Sequence, residues 1–319
     1  MMVAGIGQCS LDNLAFIDTY PSEDMKCEVT PWLAQGGGPV ATALVALSRL
    51  GVSTRFMGLV SDDSTGQIII SELVREGVDI SFMVKVPGYQ SQLAFILVNR
   101  ENGRRTIFWS RPTFGNLKGD NISDSFFSGV DMLHLDGLML EAAIEAATAA
   151  KLKNIPVMLD VGTLRDGTEQ LLPLCDYIVC SEDFSTSYCE NHTTTLKNLL
   201  AAGAKAATVT LGQKGSITAT ADKYFHFPAC KIKPVDTTGA GDVFHGGYIY
   251  GLLSGWPIEE VIKFATALAA AKCLKLGGRT GIPDIIEITE FMKKHELYQV
   301  AFNRLTPLAS SKAQGRTLP

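Results

Sequence analysis

One segment carries the residue types and spacing for phosphoryl chemistry: Val235-Asp236-Thr237-Thr238-Gly239-Ala240-Gly241-Asp242-Val243-Phe244-His245-Gly246-Gly247. A helical pattern continues to Leu253, and Gly255 and Pro257 end it. The Gly-Ala-Gly stretch therefore falls at a helix N-terminus. Small residues let a ligand approach the backbone there, and unpaired N–H groups with the positive end of the helix dipole favour anions. A carboxylate in such a place makes sense if Asp242 takes a proton while the amides hold phosphoryl oxygens.

The full string resembles the DTxGAGD signature of the PfkB (ribokinase-like) family of carbohydrate kinases. The resemblance implies an ATP- and Mg²⁺-dependent sugar kinase. It makes Asp242 the catalytic base and gives the anion hole to Gly239, Ala240, Gly241 and the Asp242 amide. Other segments resemble the same family, closest to its ribokinase, ketohexokinase and sulfofructose kinase branch. Gly36-Gly37-Gly38-Pro39-Val40-Ala41-Thr42 is similar to the N-terminal signature, with Thr42 where the family has a sugar-binding Asn. A hydroxyl has fewer donors than a carboxamide, which points to a different acceptor. The resemblance assigns Asp12, Gly37, Gly38 and Thr42 to the sugar, and Asp136 lies at a strand end where ligands collect in open α/β sheets. Arg105 resembles the Arg brought toward the phosphates from the lid, and a guanidinium there stabilises spread charge. Trp109 and Arg111 are further candidates for the acceptor pocket, and an anionic sugar is among the acceptors they suit.

On the nucleotide side the resemblance implies Thr210, Gly212 and Gly215, in the Thr210-Leu211-Gly212-Gln213-Lys214-Gly215 turn, with Ser181 and Cys273. Many relatives have NxxE where this chain has Ser181-Glu182-Asp183-Phe184, so the usual metal-organising role does not carry over directly. Asp236 and Thr238 resemble positions at which some relatives bind a monovalent cation, so K⁺ is expected there. Asp62-Asp63-Ser64-Thr65-Gly66 reads as a helix cap.

These residues need a scaffold. Apolar runs at 3–6, 55–60, 132–135, 157–160, 177–180 and 207–211 read as strands. Helical patterns at 39–50, 65–76, 140–153 and 194–202 alternate with them. The order predicts an α/β fold, a three-layer αβα sandwich on a mainly parallel sheet. Leu93–Asn99 and 105–109, joined through Asn102-Gly103, read as a hairpin. With the stretch after the first strand they suggest a small β lid. The expected organisation is one kinase domain over 1–305, a discontinuous lid from about 13–35 and 84–112, and a flexible tail over 306–319.

Composition limits the alternatives. The chain has 319 residues, 46% of them hydrophobic, which is ample for a large core. A net charge of −5 without a basic block argues against nucleic acid. No run reaches the ~18 apolar residues of a membrane span. Seven scattered cysteines, none at CxxC spacing, read as free thiols in a cytoplasmic protein. An exposed lid face would favour a homodimer. Gly5-Ile6-Gly7 raises a Rossmann oxidoreductase, although the third Gly position holds Ser10 and no helix follows at once. A nucleoside kinase of the same fold and a non-catalytic sugar- or nucleotide-binding regulator are the remaining alternatives.

Overall fold

The computed structural model describes residues 1–295, so the tail expected over 306–319 lies outside the described residues. The strands are Met2–Ile6 (β1), Ser10–Ile17 (β2), Trp32–Gly37 (β3), Ser53–Met57 (β4), Leu59–Val60 (β5), Val84–Lys85 (β6), Leu93–Asn99 (β7), Arg105–Ser110 (β8), Met132–Leu135 (β9), Val157–Val161 (β10), Tyr177–Ser181 (β11), Ala206–Thr210 (β12), Ser216–Thr220 (β13) and Tyr224–Phe227 (β14). The α-helices are Pro39–Arg49 (α1), Ser64–Arg75 (α2), Leu140–Leu152 (α3), Thr168–Leu171 (α4), Glu182–Tyr188 (α5), His192–Ala201 (α6), Ala240–Leu253 (α7), Ile258–Lys272 (α8) and Ile285–Lys294 (α9).

The main sheet has eight strands in the order β14-β13-β12-β11-β10-β9-β1-β4. From β12 to β4 every pairing is parallel, and β13 and β14 add an antiparallel edge. Period-2 alternation sends the side chains to two cores. Val3, Met158 and Val179 join α1, α2, α7, α8 and α9 on one face. Ala4, Leu159 and Ile178 join α3, α5 and α6 on the other. This is the expected three-layer sandwich. The strand expected over 55–60 is split. β4 stays in the main sheet, while β5 pairs with β6.

Helix α7 is buried from Val243 through Gly251, as its apolar circumference requires. Two glycines let its neighbours close in. A Cβ on Gly246 would lie 2.9 Å from the Ala43 carbonyl oxygen of α1, and one on Gly247 would lie 2.9 Å from Ala265 Cα of α8. The packing fixes α7 rigidly and so fixes where its N-terminus points.

A separate four-stranded sheet, β3-β2-β7-β8, forms a lid beside the main sheet. After β1 the chain runs directly into this sheet through β2, not into a helix. That connection removes the strand–turn–helix geometry a Rossmann site needs. It also places Asp12 within a lid strand, opposite Gln35 and Ala94, not in a free turn. Asp63 caps α2 by accepting the Gly66 N–H (2.8 Å).

Candidate active site

The lid and the carboxyl ends of the parallel strands enclose a cleft of about 580 Å³. Five strands deliver polar groups to it: Gln8 follows β1, Asp136 follows β9, and Asp160, Ser181 and Thr210 end β10, β11 and β12. The lid contributes Ser10 and Asp12 from β2, and Arg105, Ile107 and Trp109 from β8. The N-terminus of α7 closes the cleft with Thr238, Gly239, Gly241 and Asp242.

Gly239 begins α7 in the left-handed conformation (φ 74°), and a Cβ there would lie 2.8 Å from the Gly278 carbonyl oxygen. Only glycine makes this turn without strain. The Ala240 N–H donates to the Thr237 carbonyl (3.2 Å). The Gly239, Gly241 and Asp242 N–H groups find no acceptor among the described residues. Those three, not Ala240, are free to hold an anion at the positive end of the helix.

The lid touches this loop directly. Gly103, in the β7–β8 turn, accepts the Thr237 N–H and hydroxyl, both at 3.1 Å. Arg105 Nη1 donates to Thr237 Oγ1 (3.3 Å). The guanidinium is thereby held at the edge of the anion site.

Five carboxyl groups line the cleft, those of Asp12, Asp136, Asp160, Asp183 and Asp242. Burial and then the charge of Asp160 raise Asp242 to about 7, against the lowering pull of His245 and Arg105. Burial also raises Asp136 and Asp160 to about 7. The Leu138 (3.0 Å) and Gln8 (2.9 Å) N–H groups bond Asp136 and hold it partly back. Asp12 is raised by burial, against a bond from Ser10 Oγ (2.7 Å) and the charge of Arg279. His245, one turn beyond Asp242, sets Nδ1 2.7 Å from the Gly241 carbonyl and Nε2 3.5 Å from Asp160 Oδ1. Burial pushes its pKa down, against the Gly241 bond and the charge of Asp242. His134 stacks on it with ring centroids 5.7 Å apart, and burial lowers His134 to about 3.

The structure brings most of the sequence-derived residues together and sets others behind the cleft. Thr42 is buried outside it, and its hydroxyl accepts from Arg279 Nε (3.3 Å). Gly37 lies against Asp12, and its carbonyl accepts from Arg279 Nη2 (2.9 Å). Arg279 thus occupies the ground where the sequence suggested a Thr42–sugar contact. Gly38 does line the cleft. Gly212 (φ 56°) and Gly215 (φ 96°) shape the turn after β12 but do not line the cleft, and Gly215 packs on the backbone of Phe227. Cys273 is buried, and its carbonyl accepts the Val235 (2.8 Å) and Asp236 (3.2 Å) N–H groups. It supports the anion loop from behind. Asp236 is fully buried, and its carboxylate accepts the Thr238 (2.8 Å) and Gly277 (2.7 Å) N–H groups. Arg111 lies over the Trp109 ring, 4.8 Å from its centroid.

Sequence reasoning missed Asp160, His245, Lys272 and Arg279. Asp160 had a usable signal, because it ends an apolar strand just as Asp136 follows one. Lys272 and Arg279 are lone cations in small-residue surroundings, and only the fold reveals their burial.

Residues 3–285 match the pfkB family of carbohydrate kinases. The ribokinase of Bacillus subtilis is 26% identical over 298 residues, covering 90% of this chain and 98% of that protein. The solved ribokinase of Thermotoga maritima superposes with a TM-score of 0.79 at 26% identity, over 92% of this chain and 99% of its own. An Arabidopsis thaliana ribokinase complexed with ribose and ATP shares the fold, with a TM-score of 0.77 at 22% identity over 91% and 98% of the two chains. With its DTxGAGD loop at the head of α7, its parallel sheet and its β lid, the chain belongs to the pfkB family of carbohydrate kinases.

Proposed function

We propose that this protein transfers the γ-phosphoryl group of ATP to a hydroxyl of a neutral sugar held between lid and sheet. The observation that carries this reading is Asp242 beside three unengaged N–H groups at the head of α7, facing the cleft. Asp242 takes the hydroxyl proton as the oxygen attacks the γ-phosphorus in line. The Gly239, Gly241 and Asp242 amides, with Arg105, hold the charge spread over the phosphoryl oxygens. ATP lies along the ends of β11 and β12, by Ser181 and Thr210 and toward the Gly212 turn. When bound, Mg²⁺ would supply charge neutralisation for the phosphates. Asp160 and Asp183 line the cleft and fit as partners for its water shell.

The acceptor side is lined by Asp12, Asp136 and Asp160. Carboxylates accept hydrogen bonds from hydroxyls and repel anions, which favours a neutral polyol over an anionic sugar. Trp109 and Ile107 offer an apolar face for the ring. The nucleoside alternative has no comparable feature in its favour, and a pure regulator needs no base. A dissolved monovalent cation is not part of this reading, because Lys272 already lies against the Asp236 carbonyl.

The protein is read as a cytoplasmic homodimer. Its seven cysteines are free, which suits a reducing compartment. No described helix is long and apolar enough to cross a membrane. The outer lid face presents Trp32 (62% exposed), Phe95 (55%) and Phe108 (55%), with Phe95 and Phe108 directly paired across β7 and β8. Such a patch marks an interaction surface.

The test is an ADP-release screen over neutral ketoses and aldoses, nucleosides, and sugar phosphates or sulfonates. Turnover on a neutral sugar is expected. Turnover confined to nucleosides or to anionic sugars would overturn the acceptor assignment.

A further inference from the structure

Lys272 ends α8 with its side chain fully buried (0% exposed), and Nζ donates to the Asp236 backbone carbonyl at 3.0 Å. A lysine in the last turn of a helix complements the dipole, but it ordinarily snorkels to water. This one instead lies under the loop that becomes the anion hole. Asp236 is also fully buried, and the carboxylate's partners, the Thr238 and Gly277 N–H groups, are neutral. A buried carboxylate needs a compensating charge, and a buried ammonium needs one too. Burial lowers the Lys272 pKa, and the charge of Asp236 opposes that more than any other group. The two charges therefore act on one another within one small region of backbone, with Nζ bonded to the Asp236 carbonyl. Cys273, the next residue, holds the Val235 and Asp236 N–H groups with its carbonyl. The end of α8 thus fixes both the geometry and the charge of the strand leading into Gly239.

A monovalent ion at Asp236 and Thr238 would share the surroundings of the Asp236 carbonyl with the Lys272 ammonium, a like charge that repels it. An ammonium already occupies that carbonyl, so the residues present do not fit K⁺. Thr238, whose buried hydroxyl has no partner among the described residues, lines the cleft and is left to the phosphates.

We propose that Lys272 is a covalently tethered cation that replaces a dissolved monovalent ion in this loop, so nucleotide binding and phosphoryl transfer proceed without K⁺ or NH₄⁺. Lys272 touches no reacting atom. It is a positioning residue acting through Asp236 and the loop to Gly239. The inference rests on the kinase reading for its activity arm only.

The experiment uses the full chain and a Lys272→Met variant in Na⁺, K⁺, NH₄⁺ or methylammonium at equal ionic strength. It reads the melting-temperature shift produced by MgATP, which needs no acceptor, and kcat for ADP release. The wild type should show the same shift in all four salts, and a kcat constant within about twofold. The variant should lose the shift and about tenfold or more of kcat in Na⁺. K⁺, NH₄⁺ or methylammonium should restore both. A wild type that needs K⁺ for either readout would overturn the proposal, as would a folded variant indifferent to the cation. Should the variant not fold, the wild-type comparison decides alone. Failure of the kinase reading is distinguishable, since it would abolish turnover in every salt.

Discussion

Lowering the pH from 8 to 6 should slow this enzyme and stabilise its fold at the same time. Asp242 titrates at about 7 because burial, then the charge of Asp160, penalise its carboxylate. A base must be deprotonated to accept a proton. Its ionised fraction falls from about nine-tenths at pH 8 to about one-tenth at pH 6, so kcat/KM should fall roughly tenfold. Stability runs the other way. Asp136, Asp160 and Asp242 are raised in the fold from 3.8 to about 7, so between those values the folded protein holds protons that the unfolded chain has released. At pH 7 that difference is about 1.5 protons. His134, lowered by burial to about 3, offsets about 0.2 proton, because an unfolded imidazole titrates near 6.5, and the lowering of His245 acts in the same direction. A net of about one proton makes stability fall by about 1.4 kcal/mol per unit as pH rises through 7, a few degrees in melting temperature. Initial rates of ADP release at limiting acceptor, and melting scans of the free protein from about pH 5.5 to 8.5, measure both. Asp160→Asn should move the acid limb of kcat/KM to lower pH and flatten the stability slope. A kcat/KM that is flat between pH 6 and 8, or a melting temperature that rises with pH there, would refute the reasoning.

Three further outcomes follow from the geometry. Gly239→Ala places a Cβ against the Gly278 carbonyl and forces a non-glycine residue to φ 74°. It should cost about 1–2 kcal/mol of stability and more than tenfold in kcat, read by urea unfolding and ADP release. Arg279→Met removes a buried guanidinium that bonds Gly37 and Thr42 and offsets the charges of Asp12 and Glu72. Urea unfolding should show a loss of about 3–5 kcal/mol, and a loss below about 1 kcal/mol would mean that the charges are balanced elsewhere. Phe108→Asp on the outer lid face should abolish the proposed lid-mediated dimer in sedimentation velocity, and an unchanged dimer would move the interface off the lid.

The parts of this protein that repeat simply were legible in its sequence. Continuously apolar strands alternating with amphipathic helices specified the parallel sheet, and strand β9 at Met132–Leu135 follows from its four apolar or aromatic-ring residues. The antiparallel edge did not, because Ser216–Thr220 and Tyr224–Phe227 mix Ser, Thr and His with half-buried aromatics and lack the apolar run of a central strand. The lid strand β2 was hidden for a related reason: Ser10, Asp12 and Asn13 look like a turn, yet Ser10 pairs with β3, and Asp12 and Asn13 pair with both β3 and β7. The anion loop could be read because its chemistry is local, a glycine turn against a helix start. The support beneath it could not, since Lys272 meets Asp236 across 36 positions and Arg279 meets Gly37 across 242. Thr42 shows the limit of position-by-position reading, since its hydroxyl serves a residue from the far end of the chain.

The central claim is that Asp242 removes the acceptor proton while the amides beside it hold the phosphoryl group. The most direct measurement is kcat of Asp242→Asn on the acceptor found by the screen, alongside its MgATP-induced melting shift. The variant should keep the shift and lose about 10²–10⁴-fold in kcat, roughly 3–5 kcal/mol of transition-state stabilisation. A variant that turns over at the wild-type rate would contradict the account.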